Sequence, residues 1–337
     1  MNCFSQPDLL PVDQAIRLMR EAITPVVTTE KIDLVNALDR VLSEAIYSSL
    51  NVPGHNNSAM DGYALRQQDI NTETSLTIIG HSLAGRPFNG VVNQGESVRI
   101  MTGAVIPEGA DTVVMQENVS TNTQNNSICI NQPTKMGDNI RRAGEDIAIN
   151  SLVFNQGKRI SPVDIGLLAS LGIAEIHVYK RIKVAVLSTG DELKPLTQKL
   201  QAGDIYDSNR PTLIALLSRL NVEIIDMGCV ADNPEKISAT FAAATVQADV
   251  VISSGGVSVG DADYTKDVLE KLGKINFWKV AMKPGKPFAF GVLQKQNSTT
   301  STGWFFGLPG NPVSAVVTYH QLVLPSLRYL AGEIFDE

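Results

Sequence analysis

The sequence predicts an α/β protein with more than one domain, and three observations support this. The chain has 337 residues, more than one hydrophobic core usually needs, so two or three domains are expected. From residue 181 onward, apolar runs alternate with helical patterns, as they do in a parallel α/β sheet. Between about residues 76 and 160, short β-prone runs are separated by Gly, Pro and Asn, which indicates an antiparallel β-rich region.

Two helices are predicted at the start of the chain and a third before the α/β region. Residues 12–23 and 32–46 place apolar side chains at three- and four-residue spacing, the pattern of amphipathic helices. A helix over 161–171 has a clear start, because Ser161 is a suitable N-cap and Pro162 suits the first helical position.

The α/β region begins near residue 180, where a domain boundary is expected. Its strands are apolar runs without alternation, which implies burial on both faces of the sheet; they are 183–188, 222–228, 249–254, 275–282 and 304–308. Helical patterns follow several of these strands, at 208–220, 234–247, 265–272 and 312–331.

Composition and charge narrow the class of protein. Hydrophobic residues make up 43% and charged residues 19% of the chain, which is typical of globular proteins. The net charge of −7 argues against a broad basic surface for nucleic acid. An acidic protein that binds an anion must concentrate its cations locally or recruit a metal ion.

Three further features favour a cytoplasmic protein. Cys3, Cys129 and Cys229 are far apart and form no C-x-x-C pair, so free thiols are expected. The first residues, MNCFSQPDLLPVDQ, lack the basic and apolar regions of a signal peptide. No run approaches the roughly 20 apolar residues of a membrane span.

Each predicted strand of the α/β region is followed by a loop rich in glycine and charge. These loops are 188–193, 228–233, 253–263, 282–287 and 307–312. Ligands bind outside the carboxyl ends of the strands of an open parallel sheet, so the loops are expected to meet at one edge. No Walker A loop and no Rossmann fingerprint occurs among them.

The loops contain three kinds of ligand-type residue. Glycines allow close backbone approach: Gly190, Gly255, Gly256, Gly260, Gly285, Gly307 and Gly310. Carboxylates suit Mg²⁺: Asp191, Glu192, Asp232, Asp261 and Asp263. Lysines suit an anionic group: Lys279, Lys283 and Lys286. The combination indicates a phosphorylated or nucleotide-like ligand with its metal ion.

Taken singly, these features have ordinary structural explanations. A glycine after a strand is often a turn residue, Asp191 or Glu192 could cap a helix, and the lysines could be solvated surface residues. Five such loops at one sheet edge favour a functional cleft instead. Three segments of the first half are similarly unusual, although alone they fit turns and a solvated charge run; they are 53–64, 99–117 and 139–147.

Seven motifs together resemble the molybdopterin molybdenumtransferase (MoeA) family, which includes the E domain of gephyrin. They are NSAMDGYA (57–64), RIMTGA (99–104), RRAGEDI (141–147), STGDEL (188–193), SSGGVSVGDADYTK (253–266), KPGKPFAFG (283–291) and GLPGNPVS (307–314). The resemblance runs in order over essentially the whole chain. It implies insertion of molybdate into adenylylated molybdopterin with Mg²⁺ present, which releases AMP and molybdenum cofactor.

Matching the motifs residue by residue implies roles for individual positions. The implied catalytic residues are Asp61, Glu192, Asp263, Lys279 and Lys283. The implied metal ligands are Asp191, Glu192, Asp232 and Asp263. The implied residues for binding pterin and nucleotide are Thr102, Arg141, Asp146, Gly190, Ser254, Gly255, Gly256, Ser258, Lys286, Pro309 and Pro312.

The resemblance also implies an organisation and partners. It implies a fold with an elongated, partly helical dimerisation domain, a β-rich domain and an α/β molybdopterin-binding domain, at 1–56 with 146–180, 57–145 and 181–331 respectively. The family's usual C-terminal β-barrel domain is expected to be absent. A homodimer is expected, whose cleft is completed by the β-rich domain of the other subunit, with substrate handed over by a molybdopterin adenylyltransferase.

Two other functions stay open at the level of sequence. A molybdopterin adenylyltransferase shares the α/β domain, and a non-catalytic pterin-binding or scaffold module would retain the fold and the cleft. The nucleophile of the reaction also stays open, because either a water activated by a carboxylate or a molybdate oxygen could attack phosphorus.

Overall fold

The computed structural model describes residues 9–70, 75–255, 264–294 and 302–335. Its contacts divide the chain into two compact units. Unit 1 consists of Met1–Glu44, Gln156–Ala169 and Ile173–Glu337, and unit 2 consists of Ala45–Asn155 and Ser170–Gly172.

The described residues form helices and strands in alternating groups along the chain. The helices are α1 (Val12–Ala22), α2 (Pro162–Ser170), α3 (Asn209–Leu217), α4 (Pro234–Gln247), α5 (Tyr264–Leu272), α6 (Pro312–Thr318) and α7 (Leu324–Leu330), and a π-helical turn, Tyr319–Val323, joins the last two. The strands are β1 (Thr29–Asp33), β2 (Ile46–Tyr47), β3 (Asn57–Ser58), β4 (Gly62–Leu65), β5 (Ser75–Ser82), β6 (Glu96–Ile100), β7 (Thr112–Met115), β8 (Val119–Asn122), β9 (Ser127–Ile130), β10 (Ile140–Arg141), β11 (Leu152–Phe154), β12 (Glu175–Tyr179), β13 (Lys183–Thr189), β14 (Leu193–Lys194), β15 (Ile205–Tyr206), β16 (Glu223–Val230), β17 (Val250–Ser254), β18 (Gly273–Lys279), β19 (Pro287–Gln294) and β20 (Thr302–Leu308).

A six-stranded sheet organises unit 1, with strand order β16-β13-β17-β20-β19-β18. The first four strands in that order are parallel to one another, which confirms the predicted parallel sheet over that part. β19 is antiparallel to both of its neighbours, β20 and β18. As a result, β18 runs in the same direction as β20.

The strands of this sheet are buried on both faces, as the continuous apolar runs predicted. Val184, Val186 and Ile252 belong to a core cluster that also contains Met19 of α1. Ala185 and its neighbours on the other face belong to a second cluster with α4 and α5. Successive side chains of a strand point to opposite faces, so each strand contributes to both clusters.

The predicted helix over residues 32–46 is wrong. β1 pairs antiparallel with β12, a 3₁₀ turn covers Leu34–Asn36, and Asp39 has a φ of 60°, which interrupts any right-handed helix. Pairing with a distant strand overrides the local helical periodicity. The helices predicted at 12–23 and 161–171 are confirmed as α1 and α2.

Unit 2 contains the predicted β-rich region. Its six-stranded sheet has the order β7-β4-β6-β5-β9-β8. All neighbouring pairs are antiparallel except β5 and β6, which are parallel. A core cluster that includes Tyr63, Leu65, Leu76 and Ile128 lies against this sheet.

Candidate active site

The five loops predicted from the sequence begin at the carboxyl edge of the sheet in unit 1. β13, β16, β17 and β20 run parallel, so the loops that follow them leave at the same edge. The loop between β18 and β19 leaves there too, because β18 has the direction of β20. The strand order places the loop after β16 at one end of this edge and the loop after β18 at the other.

Carboxylates occupy the end of the edge formed by β16 and β13. The Asp191 carboxylate accepts a hydrogen bond of 3.0 Å from the backbone N–H of Asp232, which joins the loops after these two strands. Although Asp232 lies at the surface, partial burial of its carboxylate raises its pKa, and the negative charges of Asp191 and Glu192 raise that pKa further. The Asp191 and Glu192 carboxylates therefore lie close enough to Asp232 to repel its charge.

Glycine is required between β13 and these carboxylates. Gly190 is buried with a φ of 152°, and a Cβ there would lie 2.7 Å from the Glu192 carboxylate.

Among the residues that the structure describes, no three His, Cys, Asp or Glu side chains are grouped closely enough to form a metal site by themselves. Mg²⁺ needs no such cage, because it commonly binds through one or two carboxylates, water and substrate phosphates.

Lysines occupy the opposite end of the edge. Lys279 is the last residue of β18, and Lys283 and Lys286 lie in the connection to β19; all three are exposed. Four strand spacings separate β13 from β18 in the sheet order, which corresponds to roughly 19 Å at the usual spacing of strands. One compact phosphate group cannot span that separation, so the arrangement suits an elongated anion.

Close backbone packing occupies the middle of the edge, where β17 and β20 end. The backbone N–H of Gly255 donates to the carbonyl of Leu308 at 3.2 Å. Gly255 has a φ of 88°, and a Cβ at this position would lie 2.6 Å from the carbonyl oxygen of Thr189. Pro309 is buried in the following loop, and Pro312 is the first residue of α6.

Unit 2 brings together the three unusual segments of the first half. β3, in the first of them, pairs with β10 in the third. The carbonyl of Ser58 in β3 also accepts a 2.8 Å hydrogen bond from the backbone N–H of Gly103, in the second segment. Three segments that are far apart in sequence therefore form one local structure.

Two polar pairs lie in this structure. The Asp61 carboxylate accepts hydrogen bonds of 2.7 Å from both the backbone N–H and the hydroxyl of Thr102. The backbone N–H first and the hydroxyl second lower the pKa of Asp61, so it is a carboxylate at neutral pH. Arg141 donates to both oxygens of Asp146 at 2.5 Å, and that hydrogen bond raises the pKa of Arg141.

Comparison with known proteins decides the family. Residues 10–172 match the family model described as "MoeA N-terminal region (domain I and II)", and residues 185–329 match the one described as "Probable molybdopterin binding domain". The chain is 50% identical over 325 residues to the molybdopterin molybdenumtransferase of Haemophilus influenzae, covering 96% of this chain and 78% of that protein. The chain belongs to the molybdopterin molybdenumtransferase family.

Other members of the molybdopterin molybdenumtransferase family agree in sequence and in structure. The enzyme of that name from Nostoc is 39% identical, with 90% of this chain and 70% of that protein covered. The crystal structure of the molybdopterin biosynthesis moeA protein from Pyrococcus horikoshii OT3 superimposes with a TM-score of 0.81 at 28% identity, covering 97% of this chain and 80% of that one. The chain is therefore an enzyme, a transferase of molybdenum cofactor biosynthesis.

The two matched regions carry different parts of the predicted site. Asp61, Thr102, Arg141 and Asp146 lie in the region described as N-terminal in the family, and the five loops of the sheet edge lie in the region described as molybdopterin-binding. Three residues assigned to the site, Gly256, Ser258 and Asp263, lie outside the described residues, as do Gly260 and Asp261.

Sequence reasoning missed a polar group at the start of α3. Asp207 is 3% exposed and accepts hydrogen bonds from the Ser188 hydroxyl at 3.0 Å and from Arg210 Nε at 2.9 Å. Asn209, which lies between Asp207 and Arg210 in sequence, donates to Ser254 Oγ and to the carbonyl of Gly310, both at 2.7 Å. The available signal was the run of polar residues directly before an apolar helical pattern, which favours helix-start hydrogen bonds.

Along the described residues, every helix is too short or too polar to cross a membrane.

Proposed function

We propose that this enzyme inserts molybdate into adenylylated molybdopterin, cleaving the phosphoanhydride and releasing AMP and molybdenum cofactor. The observation that carries the proposal is the distribution of charge along the sheet edge of unit 1. Carboxylates lie at one end, lysines at the other, and close-packed glycine loops lie between them. A ligand in which a pterin dithiolene is joined through a pyrophosphate to adenosine, with molybdate arriving at the dithiolene, has the extended anionic shape that this edge suits.

The carboxylate end is proposed as the site of Mg²⁺ and nucleotide. Burial is the main cause of the raised pKa of Asp232, and the charges of Asp191 and Glu192 add to it by repulsion; a divalent cation would relieve that repulsion. Asp263, from the loop after β17, is assigned with them. Bound Mg²⁺ supplies charge neutralisation at the pyrophosphate.

The lysine end is proposed to hold the anionic group at the other end of the ligand. Lys279 and Lys283 are assigned to charge stabilisation during the reaction, and Lys286 to binding the pterin phosphate or the oxyanion. Their compact ammonium charges suit phosphate and molybdate. With Gly255 allowing close backbone approach, the chain's main contribution is positioning and charge neutralisation, as in other phosphoryl transfers.

Unit 2 is proposed to complete the cleft from the other subunit of a homodimer. Its assigned residues form two defined pairs, Asp61 with Thr102 and Arg141 with Asp146. Four polar residues that come from separate segments and meet in one local structure support a binding role for this region. We place the reaction in the cytoplasm, downstream of a molybdopterin adenylyltransferase that supplies the adenylylated substrate.

The deciding experiment measures AMP release by the purified protein. With adenylylated molybdopterin and Mg²⁺, AMP is expected to appear only when molybdate is added. Tight binding of the substrate without AMP release at any molybdate concentration would identify a non-catalytic pterin-binding protein. Consumption of ATP in the absence of molybdate would identify an adenylyltransferase.

A further inference from the structure

The first residues of α3 cross the middle of the proposed site, between its acidic and basic ends. The side-chain amide of Asn209 donates to the hydroxyl oxygen of Ser254 and to the backbone carbonyl of Gly310, each at 2.7 Å. Ser254 ends β17, and Gly310 lies in the loop after β20. One amide nitrogen, with its two N–H donors, therefore joins the end of β17 to the loop after the adjacent strand, β20.

The residues on either side of Asn209 anchor it to the other half of the sheet. Asp207 is buried and accepts from the Ser188 hydroxyl near the end of β13. Arg210 donates to both Asp207 and Asp226, and Asp226 lies on β16. Residues at the start of α3 therefore form hydrogen bonds with all four parallel strands or with the loops that follow them. The bonds of Asp207 and Arg210 fix the backbone that carries Asn209.

The two backbone segments that Asn209 joins also contact each other directly. Gly255 and Leu308 share a hydrogen bond of 3.2 Å. A Cβ on Gly310 would lie 3.9 Å from the Cα of Gly255, in ordinary van der Waals contact. Loss of the Asn209 contacts is therefore expected to shift the two backbones together, at the place where the ligand is proposed to pass.

We propose that Asn209 is a positioning residue of the active site, which sets the separation between the end of β17 and the loop after β20 through Ser254 and Gly310. This proposal rests on the proposed function, because Ser254 and Gly310 lie at the edge assigned to adenylylated molybdopterin. Asn209 acts on the substrate through the backbone at these two positions and needs no contact with the reacting atoms. Substrates displaced by about 1 Å can react roughly a hundredfold more slowly, so the effect on turnover is expected to exceed the effect on folding.

The test compares Asn209→Asp with a matched control, Asn221→Asp. The aspartate at 209 has the shape of the amide but no N–H, so it repels the Gly310 carbonyl. Asn221 also donates its amide to a backbone carbonyl, that of Leu38 at 3.1 Å, away from the sheet edge. Asn209→Asp is expected to lower kcat/KM for adenylylated molybdopterin about tenfold or more and to speed amide hydrogen exchange over 307–314. Asn221→Asp is expected to leave both quantities at the wild-type level.

Asn209→Ala is the second variant, because it removes both donors without adding a charge. It is expected to change kcat/KM and exchange in the same direction, by a smaller factor. Unchanged exchange over 307–314 in both Asn209 variants would overturn the proposal. So would faster exchange with kcat/KM equal to that of Asn221→Asp, since Asn209 would then have only a structural role.

AMP release by the wild-type protein tests the proposed function separately from the role of Asn209. If the wild type releases AMP but the Asn209 variants match the control, the positioning role is wrong and the function stands. If the wild type releases no AMP, the function is wrong, and calorimetric titration with AMP and Mg²⁺ then decides the positioning role. Weaker AMP binding by the Asn209 variants than by the control supports it, and equal or absent binding overturns it.

Discussion

Asp164 is a buried carboxylate whose charge stabilises the start of α2. It accepts a 2.7 Å hydrogen bond from the backbone N–H of Ser161, and the Ser161 hydroxyl accepts from the Asp164 N–H in return. Lys158 lies 3.3 Å from the same carboxylate. Burial alone would raise the pKa of Asp164, but the Ser161 hydrogen bonds and the charge of Lys158 outweigh it, so the pKa is lowered.

A lowered pKa in the folded state gives a stability difference that depends on pH. Asp164→Asn is expected to lower the free energy of unfolding by about 1 kcal/mol at pH 7. The folded pKa lies below the unfolded value of 3.8, so this stabilisation is complete above that value and is lost as pH falls through the folded pKa. Urea unfolding of both proteins between pH 7 and pH 3 measures the difference. Asp13→Asn, exposed in the first turn of α1, is the control, and a pH-independent difference would contradict the assignment.

Gly255 is a residue at which both conformation and space exclude a side chain. Its φ is 88°, and the carbonyl oxygen of Thr189 lies 2.6 Å from the position of a Cβ. Gly228 in β16 has a similar φ of 79°, with nothing within 4 Å of its Cβ position. Gly228→Ala is therefore expected to cost about 1 kcal/mol of stability from the φ alone. Gly255→Ala is expected to cost about 3 kcal/mol, because backbone must move as well. Equal costs in urea unfolding would show that the backbone at Gly255 adjusts freely.

At the scale of elements, continuous apolar runs were the most dependable sequence pattern for predicting buried strands. KVAVLS and DVVISS predicted β13 and β17, because strands buried on both faces need no polar alternation. β19 was not predicted, and its first residue, Pro287, was assigned to the preceding loop; a strand tolerates proline as its first residue. The prediction of a helix over 32–46 was wrong. The local periodicity of these residues is helical, but β1 pairs with β12, more than a hundred residues away in sequence.

The start of α3 allows a test of how burial changes the value of an ion pair. Arg210 donates to Asp207, whose side chain is 3% exposed, and to Asp226, whose side chain is 47% exposed. Asp207→Asn is expected to cost about 3 kcal/mol of unfolding free energy, because it removes the buried partner of a charge. Asp226→Asn is expected to cost less than about 1 kcal/mol, since solvent screens the exposed pair. Denaturant unfolding at constant pH measures both, and similar losses would mean that burial does not determine the contribution of this pair.

At the scale of the whole molecule, the sequence predicted which loops share an edge but not how they are held there. Parallel strands have their carboxyl ends on one side of a sheet, so the predicted parallel direction of the strands was enough to place Asp191, Asp232 and Lys283 at one edge. Asp207 and Asn209 could not be placed there, because they precede a helix and reach the edge only through side-chain hydrogen bonds. Contacts of that kind depend on three-dimensional packing that no local pattern records.

The assigned site residues fall into two compact units, Asp61 in unit 2 and Lys283 in unit 1, and this division makes the proposed shared cleft testable. Asp61→Asn and Lys283→Ala are each expected to abolish molybdate-dependent AMP release. If each cleft takes unit 2 from one subunit and unit 1 from the other, half of the dimers formed from an equal mixture contain both variants. Each of these mixed dimers has one intact cleft, so about a quarter of the wild-type activity is expected to return. The double variant mixed with wild type is the reciprocal control, because its mixed dimers contain no intact cleft. A mixture of the single variants that forms dimers yet stays inactive would show that each cleft is built within one subunit.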